Sequence, residues 1–262
     1  MNKIFRGIKK IIKNFILLLP NGQALLEKIV EYRNRSTPPG QTAKYTNLTP
    51  KELFTNYYHE NFWANPETVS GGGSTLEYTE NIRREIPKLL TQYNILKVLD
   101  APCGDFHWFR KMELPGQVEY IGGDIVDELV RQNQSQYSNA RTVFISLDII
   151  NDVLPQADLW MCRDCLFHFS YADIFKTLDN FLRSDIEYIF TSVHTNCTKN
   201  SDIVTGGASL LNLELPPFNL CKPLLYVDDW TTGTDVKKIK KMGLWTRSMI
   251  ADSLSSKAKF LS

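Results

Sequence analysis

Five polar clusters recur through the middle of the chain, each directly behind an apolar run: Asp100-Ala101-Pro102-Cys103-Gly104-Asp105, Gly122-Gly123-Asp124, Leu147-Asp148-Ile149, Cys162-Arg163-Asp164-Cys165-Leu166-Phe167-His168, and His194-Thr195-Asn196. Carboxylates hold cations or accept from hydroxyls, and imidazole exchanges protons near neutral pH. Asp124 follows Gly104 by 20 positions, a spacing at which an acidic side chain accepts both hydroxyls of a ribose. Asp148 beside Ile149 suits adenine, with the carboxylate on the exocyclic amine and the apolar neighbour on the ring. The same residues also serve plainer ends, Asp124 as a helix cap before Val126 and Asp148 as a turn residue.

The first cluster separates two kinds of cofactor. A dinucleotide site uses three glycines so that backbone amides approach a pyrophosphate at a helix N-terminus. This loop has one, Gly104, between the carboxylates of Asp100 and Asp105, which would repel a phosphate. An ammonium beside a sulfonium suits the same loop, and that describes S-adenosylmethionine.

The fourth and fifth clusters carry the candidate catalytic groups. Asp164 and His168 are spaced i, i+4, so a helical turn would place them on one face, and either could take the proton of an alcohol. Arg163 either orients an anionic or hydroxylated acceptor or pairs with Asp164. His194 closes a strand over the same edge. Asp164, His168 and His194 lack a metal-ligand spacing, and no metal is expected. Cys162-x-x-Cys165 has no second pair and reads as packing. The segment 195–223 reads as an insertion forming an acceptor pocket or lid. Its Asn196, Asn212 and Phe218 are candidate contacts for a polar neutral acceptor such as a sugar.

Apolar β-type runs at 97–100, 118–124, 142–148, 157–162 and 186–193 alternate with helical stretches at 106–112, 126–137 and 171–182. That alternation predicts an α/β fold, a parallel sheet covered on both faces, with ligands beyond the strand C-termini. The ordered set Val98-Leu99-Asp100…Gly104, Asp124, Asp148-Ile149 resembles the class I S-adenosylmethionine-dependent methyltransferase superfamily over roughly 70–193. Within it, Asp100-Ala101-Pro102-Cys103-Gly104-Asp105 is similar to a bacterial branch with Asp-x-Pro-Cys-Gly-Asp in this loop; Pro102 and Cys103 replace the usual glycines. The resemblance implies a Rossmann-like, seven-stranded, mostly parallel sheet whose antiparallel last strand would be 244–250, with the sixth at 224–227. It also implies methylation of a small-molecule or glycan acceptor, with Ser74 or Thr75 of the glycine run 70–75 capping a helix that carries Glu77, Ile82 and Ile86. A flexible hinge is the plainer reading of that run. An NAD-dependent oxidoreductase or epimerase on the same sheet type, and a non-catalytic membrane-docked scaffold, are the alternatives.

With 262 residues and 43% hydrophobic content, one main domain with extensions is expected. A net charge of +1 from 30 basic and 29 acidic residues argues against nucleic-acid binding, and five cysteines argue against a disulfide framework. In the first 19 residues Ile4, Phe5, Ile8, Ile11, Ile12, Phe15, Ile16 and Leu19 share one helical face and five Lys or Arg the other, ending at Pro20. Such a helix suits peripheral membrane contact or docking on protein, and an idle N-terminal helix is the plainer reading. The expected organisation is this helix at 1–20, a linker at 21–47, the domain at 48–254 and a tail at 255–262. A cytoplasmic location is expected, at the inner membrane face if residues 1–19 bind lipid.

Overall fold

The computed structural model describes residues 48–229 and 240–258; the basic N-terminal helix and the linker expected at 21–47 lie outside the described residues. Helix α1 (Pro50–His59) opens the described chain. Thr49 and Glu52 cap it reciprocally, and Pro50 supplies a preset φ at the first turn. Helix α2 (Glu80–Gln92) follows, then β1 (Lys97–Asp100), β2 (Glu119–Asp124), α3 (Asp127–Tyr137), β3 (Thr142–Ser146), β4 (Leu159–Cys162), α4 (Tyr171–Arg183), β5 (Tyr188–His194), β6 (Leu225–Asp228), β7 (Lys240–Thr246) and α5 (Arg247–Ala258).

The strands form one seven-stranded sheet in the order β3-β2-β1-β4-β5-β7-β6. The first five run parallel, and β7 lies antiparallel to both β5 and β6. Alternation of side chains splits the core into two layers. Leu99, Trp160, Ile189 and Trp245 face α4 and α5; Val98, Tyr120, Met161, Phe190 and Leu244 face α2. The Trp160 indole, fully buried, donates from Nε1 to the Ala101 carbonyl at 2.9 Å, fixing the end of β1 where the first polar loop leaves the sheet.

Several sequence expectations are corrected here. The stretch 106–112 forms only a 3-10 turn at Phe109–Lys111, because Phe106 takes a positive φ of 56° and inserts its ring beside Tyr120 and Phe144. The last strand starts at Lys240 rather than 244 and stops at Thr246. Thr246 Oγ1 there accepts from the Met249 amide and turns 247–250 into helix, which continues to Ala258, past the expected domain end. The glycine run makes a 3-10 turn at Gly72–Ser74, separate from α2, which begins only at Glu80 and has no side-chain cap.

Candidate active site

A cavity of about 530 Å³ opens above the C-terminal ends of β1, β2, β4 and β5. Its floor includes Asp100, Gly104, Asp124, Asp148, Ile149, Arg163, Asp164, His168 and His194, so the five clusters do converge. Its roof is Pro50, Phe54 and Tyr58 of α1, Trp63, the loop 69–74 and Tyr78. The roof was not legible as such. The signal was the density of Phe54, Tyr57, Tyr58, Phe62 and Trp63 in ten residues, which the fold stacks together and anchors by Tyr57 Oη donating to the Gly206 carbonyl at 2.9 Å.

At one end the acids stand in three environments. Asp100 is buried and accepts from Tyr120 Oη at 2.7 Å; burial pushes its carboxyl up to about 8, against the lowering effects of that hydrogen bond and of Arg163. Asp124 accepts the Gly104 amide at 3.0 Å on one oxygen and the Val126 amide at 3.0 Å on the other, so it pins the first loop to the end of β2. The Ile125 amide is a third donor to this carboxylate, which leaves it one of its four lone-pair sites. Half-buried Asp148 accepts the Ile150 amide at 2.9 Å and the Asn151 side chain at 2.8 Å, beside Leu147, Ile149 and Ile150 on the cavity wall. Asp105 does not line this cavity. It accepts from Thr68 Oγ1 at 2.7 Å, the Val69 amide at 3.2 Å and Ser70 Oγ at 3.2 Å, tying the first loop to the glycine run. Gly104 has φ +57°, and a Cβ there would lie 2.2 Å from Ser70 Oγ, so any other residue would be strained and would push the Ser70 hydroxyl off Asp105.

At the other end Asp164 and His168 both reach the cavity, but not on one helical turn. Asp164 sits at φ +52°, and only Leu166–His168 form a 3-10 turn. Burial would raise the Asp164 carboxyl, yet Arg163 and Lys240 outweigh it and hold the group far below the usual carboxylate range. A carboxylate so stabilised is a poor base. Lys240 Nζ lies 2.5 and 2.6 Å from its two oxygens, and a Cβ on Gly73 would fall 2.5 Å from Oδ2. Arg163 donates to the Gly73 carbonyl at 2.6 Å and to Asp229 at 3.0 Å, so its charge is met by protein groups.

The two histidines are fixed as opposite tautomers by backbone partners of known polarity. His168 Nδ1 is 2.7 Å from the Gly207 carbonyl, which can only accept, so Nδ1 carries the proton and Nε2 is an acceptor. The Leu211 amide donates to His194 Nδ1 at 3.2 Å, so neutral His194 carries its proton on Nε2 and is a donor. Burial depresses both, His194 to about 4 with help from the Lys240 charge, so both are neutral at pH 7.

The insertion at 195–223 is not a lid. None of its residues lines the cavity: Asn196 is exposed, Asn212 is buried and bonded to Asn200, and Phe218 is fully buried against Tyr171 and Phe175. The apolar Leu211, Leu213, Phe218 and Leu220 supply the reason, because they complete the core over α4. What the insertion contributes to the site is backbone, at Gly207 and Leu211. Lys240 and Asp229 were missed because they flank a charged stretch that reads as solvated surface; only the β7 register brings them to the cavity end. Cys162 and Cys165 are buried, and among the described residues no cluster is suited to a metal ion.

In sequence no family model matches this chain, and no curated protein does. In structure it is similar to the N-methyltransferase NodS from Bradyrhizobium japonicum WM9 in complex with S-adenosyl-L-homocysteine, with a TM-score of 0.54, 12% identity, and coverage of 73% of this chain and 98% of that one. It is also similar to human N-acetylserotonin methyltransferase in complex with S-adenosylmethionine, with a TM-score of 0.51, 15% identity, and coverage of 75% and 59% respectively. These likenesses show the fold, a Rossmann-like sheet shared with both of those methyltransferases.

Proposed function

We propose that the chain is an S-adenosylmethionine-dependent methyltransferase acting at an oxygen of a small-molecule or glycan acceptor, with His168 as the base. The observation that carries this reading is one cavity with acids on three adjacent strand ends at one side and a neutral imidazole, its proton fixed on the far nitrogen, at the other. Both solved neighbours were captured with this cofactor or its demethylated product. The residues fit the group: Asp100 is a buried carboxyl that a bound ammonium would hold ionised, Asp124 keeps acceptor capacity for the ribose, and Asp148 with Ile149 offers an acceptor beside an apolar wall. Gly104 gives the first loop its close approach, and Asp105 holds that loop against the glycine run. The cofactor, when bound, supplies a methyl group on a positively charged sulfur.

The remaining chemistry belongs to the acceptor end. His168 Nε2 takes the acceptor hydroxyl's proton as that oxygen becomes nucleophilic, while Gly207 keeps the ring in the required tautomer. His194 donates from Nε2 to a neighbouring acceptor oxygen. Asp164, ionised but clamped, accepts from a second hydroxyl, and the rings of Trp63 and Phe167 beside His168 give an acceptor ring its flat walls. Holding the acceptor in line supplies much of the remaining acceleration.

Calorimetric titration with S-adenosylhomocysteine tests the assignment, with NAD as control; binding of NAD alone would instead favour the oxidoreductase reading, and binding of neither the scaffold. A pH signature goes with it. Below about 8 the empty site holds a proton on Asp100, which an incoming ammonium must displace, so affinity rises with pH until that value. Titrations at pH 7 in buffers of different ionisation heat should show release of about one proton per ligand. The Asp100→Asn protein should show none, and equal release in both would remove Asp100 from the ammonium site.

We further propose that residues 1–19 hold the enzyme at the cytoplasmic membrane face through their apolar stripe and basic flank. Among the described residues no helix is long and apolar enough to cross a membrane. Flotation with anionic liposomes should carry the full chain and leave behind a chain lacking residues 1–20; equal flotation of the two would end the idea.

A further inference from the structure

The ionic groups at the acceptor end form a closed ring. Arg163 reaches Asp229 at 3.0 Å and Asp164 at 3.4 Å, and Lys240 reaches Asp164 at 2.5 Å and Asp229 at 2.9 Å. Each cation therefore touches both anions, and each anion both cations. The Asp229 side chain is 0% exposed, Arg163 3% and Lys240 8%, whereas Asp164 keeps 21%. The Tyr78 ring covers both cations, 4.7 Å from Lys240 Nζ and 5.8 Å from the Arg163 guanidinium carbon.

Arg163 and Lys240 line the cavity, and Asp229 does not. Two cations in a wall of aromatic rings would by themselves form a receptor for a carboxylate or phosphate. Asp229 cancels one of those charges from behind. Its Oδ2, buried and in ionic contact with Lys240, accepts no aligned hydrogen bond, so its effect there is one of charge more than of geometry. With both histidines neutral, the acceptor end carries no net charge.

We propose that Asp229 is the specificity-determining residue of the acceptor end: by closing the ring it makes the pocket take an uncharged, hydroxyl-bearing acceptor and refuse carboxylated or phosphorylated ones. This rests on the reading above only in taking this end of the cavity for the acceptor. Desolvating an anion against a balanced ring returns no attraction, whereas hydroxyls find the Asp164 edge and the two imidazoles.

The test uses acetate and its neutral isostere acetamide as probes, titrated into the full chain at constant ionic strength and read by calorimetry. The Asp229→Asn protein leaves one cation uncompensated and should bind acetate saturably, at least about tenfold more tightly than the weakest binding the measurement would register for the wild type, with no gain for acetamide. Asp164→Asn opens the ring from the cavity side and should show the same gain, which covers the case in which Asp229→Asn fails to fold. Combining Asp229→Asn with Lys240→Met restores the balance and should abolish the gain. Indifference of the ring-opened proteins to acetate would overturn the proposal. So would saturable acetate binding by the wild type, whether or not any variant folds. S-adenosylhomocysteine titrated into the same wild-type sample separates the two readings, because failure to bind it removes methyl transfer and leaves the acetate result to judge the charge ring.

Discussion

His168→Ala should lower kcat by roughly two to four orders of magnitude while leaving the affinity for S-adenosylhomocysteine near that of the wild type. The size follows from removing a positioned base, and the selectivity from the distance of this residue from the acids at the other end of the cavity. The pH profile gives a second readout. Burial lowers the His168 pKa, so the imidazole is already neutral at pH 7, and activity should fall only as pH drops through a value under the ordinary 6.5. In the alanine variant that acidic limb should vanish from the residual rate. A variant with wild-type kcat and an unchanged acidic limb would remove His168 from the chemistry. The parallel Asp164→Asn change should not remove the limb, because Arg163 and Lys240 keep that carboxylate ionised throughout the range.

Asp124→Ala should weaken S-adenosylhomocysteine binding by about a hundredfold or more, since hydrogen bonds donated to a charged group contribute about 1.5–3 kcal/mol each. Part of that loss would be local, because the substitution strips the Gly104 and Val126 amides of their 3.0 Å acceptor. Adenosine and 2′-deoxyadenosine distinguish the contributions. The wild type should prefer adenosine, and the alanine variant should bind both alike, since the coupling between a carboxylate and a hydroxyl disappears when either is removed. An undiminished preference in Asp124→Ala would reduce this residue to a loop fastener.

The residues whose place was legible from sequence were those positioned by their own strand. Asp100, Asp124 and Asp148 fall at or just beyond the ends of β1, β2 and β3 because apolar runs stop there, and a parallel sheet puts such ends on one edge. β1 coincides with the run 97–100. Residues whose position depends on a distant partner were misread. Asp105 looked like a cofactor contact by adjacency to Gly104, yet the amides and hydroxyls of 68–70 claim it. Asn196, Asn212 and Phe218 looked like pocket residues by composition, but the leucines around them make the insertion a core layer. Trp63 and Phe54 were overlooked because an aromatic cluster ahead of the first strand has no fixed place until α1 folds over the cavity.

Local order along the chain was therefore enough for the five parallel strands and the acidic rim, since continuous apolar runs and the short polar loops behind them are set by near neighbours, whereas the sixth and seventh strands rested on the family resemblance. The tertiary structure alone decided which imidazole nitrogen is available, which carboxylate is neutralised and what roofs the cavity. Those properties arise between residues far apart in sequence: 39 positions from His168 to Gly207, 66 from Arg163 to Asp229 and 76 from Asp164 to Lys240. Protonation and charge at a buried site depend on what lies within a few ångströms, and only the folded chain brings those partners together.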